Sequence, residues 1–368
     1  MIYLDNGATS FHKPESVYKA VQRAMKHCAN PGRGGHAPAM EAAKTVLQCR
    51  ERAALLFNCS AEHVVFTQNC TQGLNMAIRS LVKPGDRVVI SGFEHNAVTR
   101  TLHGLGAQVL VAGRRLFDPA DTLQCFEDAL KTGVNAAVIT HCSNVFGYVL
   151  PMAELSQLCK HYKVPLIVDA AQSAGCLPVS LKKWEAAFIA MPGHKGLLGP
   201  QGTGLLLCEQ TPEPLIFGGT GSDSVAQQMP LYLPDGAEAG TLNVPGIAGL
   251  CAGLQYIQST GQQRILQRER RQMIRCVKGL KKLGLKVFSG EDQTGTVSFI
   301  APGDCEEFAQ RLSGRGIAVR AGLHCAPLAH ESAGTLDTGT VRVSFGHDAN
   351  DSQTDALLYA VKKEMQNS

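Results

Sequence analysis

Short apolar runs rich in β-branched residues alternate with longer helical patterns through the first two-thirds of this chain. The apolar runs predict buried strands at 64–68, 87–92, 108–113, 136–142 and 165–171. The patterns between them predict helices near 38–57, 71–82, 95–105, 120–132 and 151–162. This alternation predicts an α/β fold in which helices cover both faces of a mostly parallel sheet. One more strand is expected at 203–208, either at an edge or reversed.

The pattern changes after residue 210. Residues 211–245 are rich in Gly and Pro and lack periodicity, which is typical of a functional loop or a domain connection. The remaining chain predicts a smaller α+β domain, with a long helical region over about 246–284, strands at 295–300, 316–320 and 340–345, and helices at 304–314 and 351–366.

Composition excludes several classes of function. Lys and Arg (35) nearly balance Asp and Glu (31), and no basic stripe is present, so a nucleic-acid partner is not expected. The apolar runs are too short for a membrane span, and the first residues do not resemble a secretory signal. Thirteen cysteines without a C-x-x-C pair indicate reduced thiols, and we therefore expect a cytoplasmic protein.

Three polar side chains follow predicted strands or turns, where open parallel sheets bind their ligands. Thr71 begins a helix next to Gly73, a turn that suits a phosphate, although a simple helix cap is the more common explanation. Asp169 ends the strand at 165–171, either as a carboxylate in a pocket or as another cap. Lys195 lies in a glycine-flanked turn after a strand, an unusual place for a surface lysine.

Two further residues lie in the C-terminal third. Cys325 occupies a short loop between Gly322 and Pro327, and Arg342 lies on a predicted strand, where its guanidinium could hold a carboxylate. An imine-forming lysine, a carboxylate for a pyridinium nitrogen and a phosphate turn are the groups that pyridoxal phosphate (PLP) requires. The residues therefore predict a PLP site, and no metal site is expected.

Ordered motifs along nearly the whole chain resemble the class V aminotransferase family, in its cysteine desulfurase and selenocysteine lyase branch. The matching segments are YLDNGATS (3–10), NPGRGGH (30–36), TQNCTQGLN (67–75), EHNA (94–97), THCSNVFG (140–147), VDAAQSAG (168–175), PGHKGLLGPQGTG (192–204), AGTLNVPG (239–246) and RAGLHCAP (320–327). The short RAGLHCAP loop is most similar to the group II desulfurases. The resemblance implies a fold type I PLP enzyme, with a large PLP-binding domain over 15–245 and a small domain formed by 1–14 and 246–368.

The resemblance also implies roles for individual residues. Lys195 would carry PLP, Asp169 would pair with the ring nitrogen and His95 would stack on the ring. The other contacts to the cofactor would come from Cys70, Thr71, Asn144, Gln172 and His194, and from Gly219 and Thr241 reaching the second subunit of a homodimer. Asn144 and Arg342 would bind the substrate carboxylate.

The implied activity is that of a PLP-dependent cysteine desulfurase, which converts L-cysteine to L-alanine. Cys325 would be the nucleophile that takes the sulfur as a persulfide, with His324 as one group able to favour its thiolate. A sulfur-acceptor protein, for example in iron–sulfur cluster assembly, would then receive the sulfur. Departures from the family pattern at Pro192, Leu242 and Leu323 leave the acceptor and the substrate preference open.

Other functions remain open on the sequence. Selenocysteine lyase needs the same lysine and arginine, with L-selenocysteine as substrate, and other class V aminotransferases or epimerases share the fold. A PLP-binding regulator without activity is a further alternative. A metal-binding module is another alternative, because His-Cys dipeptides occur at 27–28, 141–142 and 324–325, although adjacent His and Cys rarely bind one ion.

Overall fold

The structure is a computed structural model and describes residues 1–32 and 34–366. Its strands are β1 (Ile2–Tyr3), β2 (Val64–Thr67), β3 (Arg87–Ser91), β4 (Gln108–Ala112), β5 (Ala136–Thr140), β6 (Leu166–Asp169), β7 (Phe188–Pro192), β8 (Gly204–Cys208), β9 (Val287–Phe288), β10 (Thr296–Phe299), β11 (Ile317–Ala318), β12 (Arg320–Gly322) and β13 (Thr340–Ser344). Its α-helices are α1 (Glu15–His27), α2 (Ala37–Phe57), α3 (Cys70–Leu81), α4 (Asn96–Gly104), α5 (Pro119–Lys131), α6 (Met152–His161), α7 (Leu181–Trp184), α8 (Val244–Thr260), α9 (Gln262–Lys282), α10 (Cys305–Gly314), α11 (Pro327–Ala333) and α12 (Asp351–Gln366).

Seven strands form the central sheet in the order β2-β8-β7-β6-β5-β3-β4. Strands β3 to β7 pair in parallel, whereas β8 runs antiparallel to both of its neighbours. The reversed strand expected at 203–208 is therefore present, but it lies inside the sheet and not at an edge. The predicted α/β class with a mostly parallel sheet is confirmed.

Both faces of this sheet are buried, which explains why its strands have continuous apolar sequences. Along β5 and β6, alternate side chains enter two separate cores. Ile139 and Val168 pack into one core, and Val138 and Ile167 pack into the other. All four are fully buried, so the sheet is held rigidly from both sides.

A second, antiparallel sheet has the strand order β12-β13-β10-β9 and its own apolar core, which includes Phe299 and Val343. The first strand of the chain joins this core, because β1 pairs in parallel with β11. Domain boundaries at residues 15 and 245 stay a prediction.

Two features of the C-terminal part differ from the expected elements. The helical region near 246–284 is two helices, because Gly261 adopts a φ of 88°, which ends α8 and begins α9 at a new angle. The strand expected at 316–320 is split into β11 and β12, which pair in different sheets.

Within residues 1–32 and 34–366, no helix combines the length and apolarity needed to cross a membrane.

Candidate active site

The carboxyl ends of the parallel strands meet around a cavity of about 100 Å³. Eight of the predicted site residues line it: Cys70, Thr71, His95, Asn144, Asp169, Gln172, His194 and Lys195. They come from five different strand ends, because Asp169 is the last residue of β6 and each of the others lies within four residues after β2, β3, β5, β6 or β7. All eight side chains therefore lie at one edge of the sheet, where open parallel sheets bind their ligands.

Asp169 and Lys195 form the centre of this site. Asp169 is 3% exposed, and its Oδ1 accepts hydrogen bonds from the amide of Ala171 at 2.9 Å and from Sγ of Cys70 at 3.5 Å. Within the described residues Oδ2 has no hydrogen-bond partner, so it is available to a ligand in the cavity. Burial lowers the pKa of Lys195, and the carboxylate of Asp169 partly opposes this. The amine is therefore easier to deprotonate than an ordinary lysine.

Cys70 acts on the orientation of Asp169. Burial raises the pKa of Cys70 well above its usual value, and the nearby charge of Asp169 raises it further. The thiol therefore keeps its proton and can donate it to Oδ1. With the Ala171 amide, it holds one carboxylate oxygen and leaves the other facing the cavity.

His95 caps helix α4. Its Nδ1 accepts the amide of Ala97 at 3.0 Å, which places the proton of the neutral ring on Nε2. Burial lowers the pKa of His95, although the charge of Asp169 raises it. The ring is therefore neutral near pH 7 and presents an N–H donor.

Arg342 lies on β13, next to the cavity residue Asn144, and is 2% exposed. Its Nη1 donates to the backbone oxygen of Asn144 at 3.0 Å, and its Nη2 donates to Oδ1 of Asp5 at 2.5 Å. The buried Nε has no hydrogen-bond partner among the described residues. This side of the guanidinium faces Gly7, where an added Cβ would lie 3.2 Å from Cζ.

Asn144 connects Arg342 to the loop that carries Cys325. Its Nδ2 donates to the backbone oxygen of His324 at 2.7 Å, and the amide of Asn96 donates to the oxygen of Cys325, also at 2.7 Å. His324 and Cys325 have φ values of 52° and 56°, in the left-handed region that non-glycine residues rarely adopt. Hydrogen bonds from two different elements hold this unusual turn.

Cys325 is the only one of the thirteen cysteines that is exposed. It lines a wide cleft that shares Thr71, His95 and Ala97 with the cavity. Cys325 thus lies at the opening of the site that contains Lys195.

The interpretation of His324 as a partner of the Cys325 thiol is not supported by its contacts. The His324 ring stacks on His330 and approaches the backbone oxygen of Arg320 at 3.4 Å. Burial lowers the pKa of His324 well below its usual value, so the ring is neutral. It is a packed residue beneath the loop.

Gln172 and His194 contact the N-terminal segment. Gln172 Nε2 donates to the backbone oxygen of Gly7 at 2.9 Å, and His194 Nδ1 lies 3.0 Å from Oγ1 of Thr9. Burial, together with the charges of Lys195 and Lys13, lowers the pKa of His194 to about 4. Both side chains also line the cavity, so the N-terminal segment helps to position part of its wall.

Gly219 and Thr241 are the two predicted site residues that lie outside this assembly. Both are exposed, and Thr241 lines a separate cavity of about 140 Å³ with Gln72 and Glu238. Both residues are predicted to contact the cofactor of a second subunit. Their position outside this chain's own cavity does not test that prediction.

Two functional candidates were not identified from the sequence alone. Asp5 pairs with Arg342, and the available signal was its position in the YLDNGATS motif. Glu94 lies directly before His95 and is fully buried, and burial raises its pKa to about 8. Among the described residues, no group of three or more His, Cys, Asp or Glu side chains is placed to bind a metal ion, so the His-Cys dipeptides form no such site.

Comparison with known proteins identifies the family. The model of the family described as aminotransferase class-V matches residues 2–357. The chain belongs to this family. As a class V aminotransferase it is 31% identical to a probable cysteine desulfurase of Methanothermobacter thermautotrophicus, over 99% of this chain and 94% of that protein. It is also 32% identical to a probable cysteine desulfurase of Pyrococcus abyssi, over 94% of this chain and 89% of that protein.

Solved structures agree with this family. The apo structure of a cysteine desulfurase from Thermococcus onnurineus superposes with a TM-score of 0.91 at 30% identity, covering 100% of this chain and 95% of that one. A cysteine desulfurase from Escherichia coli gives a TM-score of 0.86 at 27% identity, with the same coverage of both chains. The predicted assignment to a PLP-dependent cysteine desulfurase of the class V aminotransferase family is confirmed.

The residues of this class V aminotransferase fit PLP. A buried amine of lowered pKa, Lys195, and a carboxylate with one free oxygen, Asp169, line the same cavity. Thr71 lies in the first turn of α3, where backbone N–H groups suit a phosphate. The unpartnered Nε of Arg342 is a buried donor that suits a substrate carboxylate.

Proposed function

We propose that this enzyme transfers the sulfur of L-cysteine to Cys325 and releases L-alanine. The observation that carries the proposal is the position of Cys325, the one exposed cysteine, at the opening of the cavity that contains Lys195 and Asp169. The twelve other cysteines are buried or partly buried and lack such access.

The cofactor would be held by residues of the cavity. Lys195 would bind PLP covalently, and Thr71 would hold the phosphate at the start of α3. Asp169 Oδ2 would accept a hydrogen bond from the protonated ring nitrogen and so keep that nitrogen protonated. When bound, PLP supplies an electron sink for the amino acid substrate. Burial lowers the pKa of Lys195, so its Nζ gives up a proton more readily than that of an ordinary lysine.

Substrate binding and sulfur transfer would use the residues at the margin. Arg342 would bind the substrate carboxylate through donors that the protein leaves free, which orients the substrate sulfur towards the opening. The Cys325 thiolate would attack that sulfur. As the new S–S bond forms, the substrate's C–S bond would break and its electron pair would stay on carbon. That carbon would take up a proton, the skeleton would leave as alanine, and Cys325 would carry the persulfide.

A second copy of the chain would complete each active site. The loop at 211–243 carries Gly219 and Thr241 and exposes large apolar side chains at Phe217, Val225 and Leu231. Exposed apolar residues of this kind are typical of an interface. Sedimentation of the purified enzyme would show a dimer, and a monomer with full activity would contradict this part of the proposal.

The thiol chemistry indicates a reducing compartment. Twelve cysteines are unpaired in addition to Cys325, and none forms a disulfide. Such free thiols persist in the cytoplasm, which we propose as the location. The sulfur would pass from Cys325 to an acceptor protein.

The deciding experiment compares Cys325→Ala with Cys125→Ala, a matched change at a partly buried cysteine on α5. With L-cysteine and dithiothreitol, Cys325→Ala should lose sulfide and alanine production while its cofactor absorbance stays unchanged. Cys125→Ala should behave as the wild type. Full alanine production by Cys325→Ala would refute the proposed role.

A parallel assay with L-selenocysteine separates the two related activities. Selenium leaves carbon without needing the nucleophile to the same degree. If Cys325→Ala keeps its activity on L-selenocysteine and wild type prefers that substrate, the enzyme is a selenocysteine lyase. We expect a preference for L-cysteine.

A further inference from the structure

A wide cleft begins at Cys325 and runs away from the cavity between helices α3 and α4. Its volume is about 440 Å³, against about 100 Å³ for the cavity. Thr71 lines it in the first turn of α3, and Arg79 lines it in the last turn. At about 1.5 Å of rise per helical residue, these positions lie about 12 Å apart. The cleft therefore has room for about three to four residues of extended peptide, more than one amino acid substrate needs.

The lining of this cleft carries positive charge that the protein does not balance. It includes the guanidinium groups of Arg79 and Arg100 and no carboxylate. Most arginines of the chain have ion pairs or hydrogen bonds. In the part of the chain that the structure describes, four arginine side chains have neither: Arg79, Arg100, Arg264 and Arg320.

Three of these four lie near the opening of the active site. Arg79 and Arg100 line the cleft together with Cys325. Arg320 is on β12, and its backbone oxygen lies 3.4 Å from Nε2 of His324, the residue next to Cys325. Unpaired guanidinium groups that lie around one opening attract anions and accelerate the binding of anions at that opening.

We infer that this cleft binds an acidic segment of the sulfur-acceptor protein, with the accepting thiol at Cys325 and carboxylates beside it at Arg79 and Arg100. The inference rests on the proposed function, which places the persulfide on Cys325. An acidic protein segment fits both the length of the cleft and its charge, whereas a small anion would use only one end.

The transfer itself balances without a further reactant. The acceptor thiolate attacks the outer sulfur of the Cys325 persulfide, and a new S–S bond forms as the old one breaks. Cys325 leaves as a thiolate, and the acceptor carries the persulfide. One such bond replaces another, so no oxidant or reductant is needed.

The test uses the holoenzyme with L-cysteine and ten-residue synthetic peptides that contain one central cysteine. In one peptide the flanking residues are glutamate, in the second lysine, and in the third serine. Transfer is measured as persulfidated peptide by mass spectrometry after alkylation, at about 50 mM and about 500 mM salt. Alanine release with dithiothreitol, a small uncharged acceptor, reports the basal reaction.

The glutamate peptide should accept sulfur with a kcat/KM about tenfold above that of the lysine peptide, and high salt should reduce this advantage. The double variant Arg79→Gln/Arg100→Gln should lower transfer to the glutamate peptide about 5- to 20-fold. Arg264→Gln, which removes the fourth free arginine from an exposed site on α9, should have no effect. Dithiothreitol-dependent alanine release should stay unchanged in all variants.

Three results would overturn the inference. One is equal transfer to the acidic, neutral and basic peptides, and another is an equal loss in Arg264→Gln. The third is a changed sedimentation coefficient of the double variant, which would place the cleft between two copies of the chain. Absence of alanine with dithiothreitol in the wild type would instead refute the proposed function, so the two failures are distinguishable.

Discussion

Replacing Arg342 with alanine is expected to affect substrate binding and folding by separate routes. The guanidinium has five N–H donors, and the structure uses one on Nη1 for Asn144 and one on Nη2 for Asp5. Three donors remain, including the buried and unpartnered Nε. These remaining donors are the ones available to the substrate carboxylate.

The expected loss of binding follows from a buried, charge-assisted contact. Such a contact is worth about 2–4 kcal/mol, which corresponds to a KM for L-cysteine about 30- to 900-fold higher. Because the carboxylate is bound in the same way throughout the reaction, kcat should fall much less than KM rises. Steady-state measurement of alanine separates the two parameters.

The expected loss of stability comes from Asp5, which loses its ion pair when Arg342 is replaced. Removing Arg342 leaves Asp5 without its ion pair, and its side chain is 19% exposed. Breaking a fully buried pair costs about 3–5 kcal/mol, and partial hydration of Asp5 should reduce this to about 1–3 kcal/mol. Urea unfolding of Arg342→Ala measures this cost.

The double variant Arg342→Ala/Asp5→Asn distinguishes the two effects. It should regain most of the lost stability, because no charge is left unpaired, yet keep the high KM. Arg264→Ala changes an exposed arginine that has no partner among the described residues and serves as the control. It should change neither KM nor the free energy of unfolding. An unchanged KM in Arg342→Ala, or a normal KM in the double variant, would refute the reasoning.

Three other substitutions test the interior of the site and its surroundings. Burial raises the pKa of Glu94 to about 8, so the folded state keeps a proton that the unfolded state loses near pH 4.5. The free energy of unfolding should therefore fall between about pH 5 and 8, by up to about 1.4 kcal/mol per pH unit. In urea unfolding, Glu94→Gln should remove this pH dependence. Cys70→Ala removes a donor to Asp169 and should weaken PLP binding by about 2- to 12-fold in a fluorescence titration, whereas Cys70→Ser should not. Glu238→Gln breaks the buried pair with Arg50 and should cost about 3–5 kcal/mol in unfolding by urea.

Residues next to the strand ends could be predicted because local sequence and sheet topology agree there. The apolar run 165–171 fixes β6, and a parallel neighbour after it places Lys195 at the same edge as Asp169. In the structure, Asp169 pairs with Ala190 of the adjacent strand. Hydrophobic periodicity and a connection of normal length are sufficient to predict the positions of Asp169 and Lys195, because no contact between distant parts of the chain is needed.

Contacts between distant parts of the chain could not be predicted in the same way. The pair of Asp5 and Arg342 joins residues 337 positions apart, and no local pattern encodes it. The protonated state of Glu94 likewise depends on complete burial, which only the packed sheet produces. The loop at 211–243 lacks periodicity, so neither its path nor the position of Thr241 follows from the sequence.

The Cys325 loop shows how the two sheets cooperate in the proposed reaction. Arg342, on the second sheet, donates to the backbone of Asn144, which follows a strand of the central sheet. The Asn144 side chain then donates to His324, and Cys325 accepts from the first residue of α4. One chain of hydrogen bonds therefore sets both the group that would bind the substrate carboxylate and the thiol that would take its sulfur. Asn144→Ala removes only the side-chain contact to His324 and keeps the backbone oxygen that Arg342 binds, so it should lower persulfide formation on Cys325 more than it raises KM for L-cysteine. Asn144→Asp would place a negative charge beside the carbonyl of His324 and should lower persulfide formation at least as much.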